Sequence, residues 1–156
     1  MIDFRVRVGV MEDLPDVVAL ERSLVEAPHW AEAEYVAVVQ GGAGFVRRCL
    51  FVAEAERILV GFAVGKIVDS IAELESVAVS LGKRRGGIGR ALCEAVVEWG
   101  KEQGAAAVEL EVRAGSEGPI ALYRALRFVA VGLRPGYYSY PVDDAVLMRL
   151  DLAMKT

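Results

Sequence analysis

Apolar and polar residues alternate over residues 2–8 (IDFRVRV), the period of a strand with one buried face. Glu12 and Asp13 then open an amphipathic stretch running to about residue 25, and acidic side chains suit a helix start, where the first N–H groups lack partners. Pro28 and Trp30 interrupt the period. A second helical pattern covers 32–48, weakened by Gly41, Gly42 and Gly44 within it. Residues 50–55 and 58–68 are apolar runs separated by the polar Glu54-Ala55-Glu56-Arg57, which predicts an antiparallel hairpin. Asp69 and Ser70 mark a further turn and 72–79 a further strand. The next element, 87–103, reads as a long helix closed by Gly104 at the position where a left-handed residue ends a helix. Strands at 106–113, 128–133 and 142–152, with a short helix at 118–126, complete the pattern. A run of antiparallel strands followed by strand, helix, strand, helix, strand predicts an α/β (α+β) fold with a mixed, mainly antiparallel sheet and helices on both faces. No repeat or linker divides the chain, so residues 1–156 are expected to form a single domain.

Composition narrows the classes that remain. Apolar residues make up 54% and charged residues 26% of the 156, which excludes disorder. No apolar run approaches the roughly 20 residues of a membrane span, and the amino terminus lacks the basic head and apolar stretch of a secretory signal. A soluble, cytoplasmic protein is expected. Cys49 and Cys93 are the only cysteines and form no metal-like cluster, so they read as core thiols and no metal is expected. A net charge of -4 gives no bulk attraction to nucleic acid. It leaves room for a local basic cluster, and Lys83, Arg84, Arg85 and Arg90 form one.

That cluster coincides with a glycine loop, Lys83-Arg84-Arg85-Gly86-Gly87-Ile88-Gly89-Arg90-Ala91, between a predicted strand and the long helix. Free amides at a helix start attract anions, glycines let phosphates approach the backbone, and guanidinium groups add charge-assisted hydrogen bonds. The combination suits a diphosphate. A P-loop would need Gly-Lys-Ser or Gly-Lys-Thr, and neither is present; a dinucleotide fingerprint would follow the first strand of a parallel unit, whereas this loop follows several antiparallel strands. The plain alternative is a Gly-rich turn flanked by solvated arginines.

The run Arg84-Arg85-Gly86-Gly87-Ile88-Gly89 resembles the Gln/Arg-x-x-Gly-x-Gly/Ala signature of the GNAT superfamily of acetyltransferases. The resemblance implies acetyl-CoA as cosubstrate, its pyrophosphate held by the loop from Arg84 to Arg90. The preceding Ser76-Val77-Ala78-Val79 is similar to the family strand that pairs with pantetheine, so Val77, Ala78 and Val79 are implied as backbone contacts. In that family the strand splays from its neighbour here, and an amide of the bulge can face the thioester carbonyl, where a donor stabilises the developing oxyanion.

Acetyl transfer to an amine needs a neutral nitrogen, oxyanion stabilisation and a proton for the departing thiolate. In the strand AAVELEVR, period two puts Ala106, Val108, Leu110 and Val112 on one face and Ala107, Glu109, Glu111 and Arg113 on the other. Glu111 is the preferred base; Glu73 and Glu75 on the earlier strand are rivals, and a solvated face or an ion pair with Arg113 is the plain alternative. Tyr123 lies on the short helix whose Ala121, Leu122 and Ala125 are expected to pack inward. The segments Leu110-Glu111-Val112-Arg113, Ala121-Leu122-Tyr123, Tyr137-Tyr138 and Asp144-Ala145-Val146-Leu147-Met148, with Pro28-His29-Trp30, resemble the ribosomal-protein-alanine and archaeal amino-terminal acetyltransferase branch. By that resemblance Glu111 is the general base and Tyr123 the general acid. The implied acceptor is the α-amine of a protein amino terminus or peptide, such as that of a ribosomal protein.

Two positions depart from the branch. Ser116 stands where Asn is usual, which weakens a cofactor contact there, and Leu126-Arg127-Phe128 stands for Leu-Gly-Phe. The tyrosine-rich loop 134–141 is expected to form one wall of the peptide site, or else a rigid turn on the core. His29 is read as a surface or substrate-wall residue without chemistry, and Met11, Met148 and Met154 as core or chain-end residues. A GNAT enzyme for a small amine and a non-catalytic CoA-binding module remain as alternatives.

Overall fold

The computed structural model describes residues 3–152; Ile2, at the head of the predicted first strand, and Met154 lie outside the described residues. The first strand, β1, is Arg5–Val8. A 3-10 turn, Met11–Asp13, leads into α1, Leu14–Ser23, with Pro15 in its first turn, where a missing N–H costs nothing. Met11 is exposed rather than part of the core.

The predicted second helix is half right. α2 spans Glu32–Val39 and then stops. Gly41 and Gly42 take φ of 89° and 90°, and a Cβ on Gly42 would stand 2.2 Å from the Val46 carbonyl oxygen, so the chain reverses. It returns through the two-residue β2, Gly42–Ala43, into β3, Val46–Ala55. β3 pairs antiparallel with β4, Ile58–Val68, across a turn in which Glu56 and Arg57 both have positive φ, the conformation that follows strand twist. Next come β5, Ile71–Val79; α3, Ile88–Glu102; β6, Ala107–Arg113; α4, Glu117–Ala125; β7, Val129–Ser139; and β8, Val142–Asp151. No helix among the described residues is long and apolar enough to cross a membrane.

The strands form one eight-stranded sheet in the order β1-β3-β4-β5-β6-β8-β7, with β2 beside β3. Every pairing is antiparallel except that of β5 with β6, which joins only residues 71–73 to 107–109. Beyond those pairs the two strands part, and the sheet opens into a wedge. The β4–β5 register shifts at Val64/Gly65, leaving Glu75 as the extra residue of a bulge. The bulge inverts which side chains face which core. Leu74 points toward α3 before it; after it Val77 and Val79 do, while Ala78 joins the opposite core.

Helices lie on both faces, as the pattern predicts. α3 buries Ile88, Leu92, Cys93 and Val96 against Ala63, Ile67, Leu74 and Leu110. On the other face Leu14 and Val17 of α1 and Tyr35 and Val38 of α2 pack on Val52, Phe62 and Val64. Burying side chains of this size contributes roughly 1.5–3 kcal/mol each. Toward β6, β8 and β7 that second face remains open as a groove of about 300 Å³.

α4 packs Ile120, Leu122, Tyr123 and Leu126 inward, whereas Ala121 and Ala125 are exposed, contrary to expectation. Its end is a Schellman motif: the Arg127 amide donates to the Arg124 carbonyl at 2.9 Å and the Phe128 amide to that of Tyr123 at 3.0 Å. Phe128 then stacks edge-on to Tyr123, ring centres 6.1 Å apart. The motif needs a left-handed residue, and Arg127 supplies it at φ 75°. An L side chain there is strained by about 1–2 kcal/mol. Arg127→Gly is therefore expected to stabilise the fold by roughly 0.5–1 kcal/mol, after the added freedom of glycine in the unfolded chain is discounted. A chemical denaturation midpoint checks this; a lowered midpoint would mean that the Arg127 side chain contributes more than its strain.

Candidate active site

The glycine loop emerges from the end of β5 and enters α3 at Gly87, φ 87°, with Arg85 also at positive φ, 66°. The amides of residues 86–90 have no backbone acceptor; the first helical donor is that of Ala91, to the Gly87 carbonyl at 3.0 Å. No side chain caps this helix start either. Gly89 lies against both strand and helix, since a Cβ on it would stand 3.7 Å from Val79 Cγ2 and 3.6 Å from Leu122 Cδ2. A row of free amides at the start of a 15-residue helix, beside the open edge of β5, fits an anionic diphosphate. Arg85 and Arg90 are exposed around it. Arg84 reaches elsewhere: its Nε donates to the Val79 carbonyl at 3.2 Å, and a terminal nitrogen pairs with Glu26 of the α1–α2 connection. The Ser116 side chain makes no capping bond at the start of α4.

On the open face of β6, Glu109 and Glu111 lie in the groove with Lys66, Glu73 and Arg134. Each carboxylate has a cation. Arg149 donates to Glu109 at 3.0 Å, Arg134 stands 3.5 Å from Glu111, and Lys66 is 3.4 Å from Glu73 and 3.8 Å from Glu75. The expected alternative partner of Glu111, Arg113, is engaged elsewhere: it donates to the Pro141 carbonyl at 2.8 Å and sits 4.3 Å over the Tyr138 ring. Glu73 and Glu75 share one face as period two predicts, but Glu75 is mostly buried, and burial holds its carboxyl above the ordinary range against the pull of Arg48 and Lys66.

Tyr123 lies on the other side of the sheet. Its phenol is raised by burial first, and then by the nearby Cys93 and Tyr138, so it keeps its proton at neutral pH. Burial also pushes the Cys93 thiol up to about 12 and the half-buried Cys49 up to about 11, which leaves both unreactive. The tyrosine segment is the bulged end of β7 rather than a free loop. Its register against β8 shifts between Arg134 and Tyr138, and the Gly136 amide is tied to Asp144 Oδ1 at 2.8 Å. Tyr137 and Tyr138 meet edge to face, centroids 5.1 Å apart.

Glu21 was not legible as a site residue in the sequence, where it is one more polar position of α1. It is fully buried and organises the α1–α2 connection. The Tyr35 hydroxyl and the Arg22 guanidinium donate to it, as does the Trp30 amide at 2.8 Å. Arg22 also donates to the Trp30 carbonyl at 2.5 Å, and His29 Nε2 to that of Leu24 at 2.8 Å. His29 thus fastens its own loop. A glutamate on the apolar stripe of α1, seven to nine positions ahead of the Pro28-His29-Trp30 segment, is the signal that could have pointed to it.

Comparison with known proteins bears on what this arrangement is. Residues 17–128 match the acetyltransferase (GNAT) family. The [ribosomal protein bS18]-alanine N-acetyltransferase of Escherichia coli (strain K12) is 36% identical over 98 residues, 62% of this chain and 66% of that protein, so the match spans slightly less than two thirds of the relative. The crystal structure of the ribosomal-protein-S18-alanine N-acetyltransferase from Escherichia coli superposes with a TM-score of 0.83 at 28% identity, covering 99% of this chain and 97% of that one. Ard1 from Thermoplasma volcanium gives 0.82 at 26% identity over 97% and 99% of the two chains. With well over half its length matched and its glycine loop, bulged strand and wedge in place, the chain belongs to the acetyltransferase (GNAT) family.

Proposed function

We propose that the protein is a single-domain, acetyl-CoA-dependent enzyme that acetylates the α-amine at the amino terminus of a protein. The observation that carries the reading is the wedge: β5 and β6 part after three residue pairs, with open amides at one end and Glu111 and Tyr123 on opposite sides of the gap. An amine reaching the gap from the groove meets a thioester arriving from the α3 side. The names of the Escherichia coli relatives support an alanine of a ribosomal protein as acceptor.

Acetyl-CoA supplies the acetyl group activated as a thioester. The amides of residues 86–90 with Arg85 and Arg90 hold its diphosphate, and the free edge of β5 at Val77, Ala78 and Val79 aligns its arm. Glu111 takes the proton of the attacking nitrogen, directly or through a water. An α-amine titrates near 7.7–8.0, so at neutral pH roughly a tenth of it is already unprotonated and a carboxylate has only a modest deprotonation to complete. Tyr123, held protonated by burial, donates a hydrogen bond to the sulfur as charge develops on it. Ser116 offers one hydroxyl at the start of α4, free of a capping bond, to the cofactor.

Mass spectrometry of peptides with free amino termini, incubated with acetyl-CoA, tests the reading; modification confined to lysine side chains or small amines would overturn it. Tyr123→Phe is expected to lower kcat by roughly 10²-fold with the Kd for acetyl-CoA unchanged, read by steady-state kinetics and calorimetry. An unaltered kcat would remove the phenol from the reaction.

A further inference from the structure

Three elements converge on Arg48 of β3, whose side chain is only 11% exposed. One terminal nitrogen donates to Glu34 of α2 at 2.9 Å. Nε and the other terminal nitrogen reach Glu75 Oε2 at 3.2 and 3.0 Å. The Cζ of the same guanidinium stands over the Trp30 ring, 5.6 Å from its centre. Glu75 is the extra residue of the β5 bulge, and its side chain is 12% exposed.

The geometry uses both properties of a guanidinium. Its fixed fork of donors serves two carboxylates while its charged centre stands over an indole, and an ammonium does not match that fork. Trp30 in turn packs on Tyr35, centroids 5.4 Å apart, and its amide is held by Glu21. Glu75 is thereby committed to Arg48 and serves as an anchor rather than as the base.

We propose that Arg48 is a positioning residue for the acceptor side of the site, tying the bulge at which the sheet opens to Trp30 in the 24–31 connection. The wall that receives the amine and the wedge that receives the thioester are then kept at a fixed separation. This rests on the proposed function and on the substrate-wall reading of His29, the neighbour of Trp30 in that connection. The amides of residues 86–90 belong to a different element, and its link to the 24–31 connection is the exposed Arg84–Glu26 pair rather than Arg48.

The test is Arg48→Lys, which keeps the charge facing Glu34 and Glu75 but loses the second donor direction and the stacking. The expected result is a rise in the peptide KM of roughly three- to thirty-fold, with the KM for acetyl-CoA and kcat little changed. In a Trp99→Phe background, which leaves Trp30 as the remaining tryptophan, acrylamide quenching of its emission should increase. Trp30→Leu approaches the contact from the other side; it should raise the peptide KM similarly, and the double variant should add nothing further. Equal peptide KM values and equal quenching in the Arg48→Lys variant would overturn the proposal and leave Arg48 a buried ion-pair partner. A loss shared by both substrates would overturn it in favour of general loosening. Failure of the unsubstituted enzyme to acetylate any peptide would count against the proposed function itself, so the two failures are distinct.

Discussion

Glu111→Gln is expected to lower kcat/KM for a peptide α-amine by about 10²–10⁴-fold at neutral pH, with acetyl-CoA binding unaffected. The glutamine keeps the shape and one acceptor oxygen but cannot take a proton. Since the acceptor amine titrates near 7.7–8.0, the deficit should shrink as pH rises past that range and the amine deprotonates unaided. Initial rates from pH 6 to 9 for both proteins would show the gap narrowing by about six- to tenfold between pH 7 and 9 without closing. Glu73→Gln serves as the control. Glu73 lies in the same groove, but its carboxylate is paired with Lys66 and lies within the ladder of residues 71–73, below the gap. Its substitution should change the rate by no more than a few-fold. A fully active Glu111→Gln enzyme, or a Glu73→Gln enzyme with the larger loss, would move the base elsewhere.

Glu21→Leu is expected to destabilise the fold by about 3–5 kcal/mol, because its partners stay behind without an acceptor. The Tyr35 hydroxyl, fully buried, and the Trp30 amide both lose their acceptor, and Arg22 loses its counter-charge. For a chain of this length such a loss corresponds to a melting point lower by on the order of 10 °C. Tyr35→Phe removes a single donor and should cost about 1–2 kcal/mol. A Glu21→Leu protein melting within a degree or two of the original would show that the 24–31 connection is held by its apolar contacts alone.

Much of the fold was legible in residue period. The hairpin of β3 and β4, the helix ended by Gly104 and the alternation in β6 follow from burying one face of each element against a core. The helix predicted to residue 48 failed because an apolar run of that length satisfies either period, and the glycines that decide the matter act through backbone angle rather than hydropathy. The free amides of the glycine loop were readable, since glycines and arginines before a long helix leave few other uses for them. The bulge at Glu75 was not. It depends on how β5 lies against β4, and a single inserted position changes the facing of everything after it without marking the sequence. The ion pairs of Glu109 and Glu111 with Arg149 and Arg134, 40 and 23 positions further along the chain, are equally invisible before the strands are ordered. So is the commitment of Arg113 to the tyrosine hairpin.

Mechanically the sheet resembles a book bound by a very short spine. The rungs between residues 71–73 and 107–109 are the main-chain stitching of its two leaves, and α3 crosses that spine so closely that a methyl on Gly100 would stand 3.3 Å from Ala72 Cβ and 3.6 Å from Val108 Cγ2. One core under α3 joins strands of both leaves, so a change in the angle between them must be taken up there and at the spine. Any guest seated between the leaves touches both and acts as a wedge and a clasp at once, which makes the amide-exchange rate along the spine a direct gauge of whether the book is open or filled.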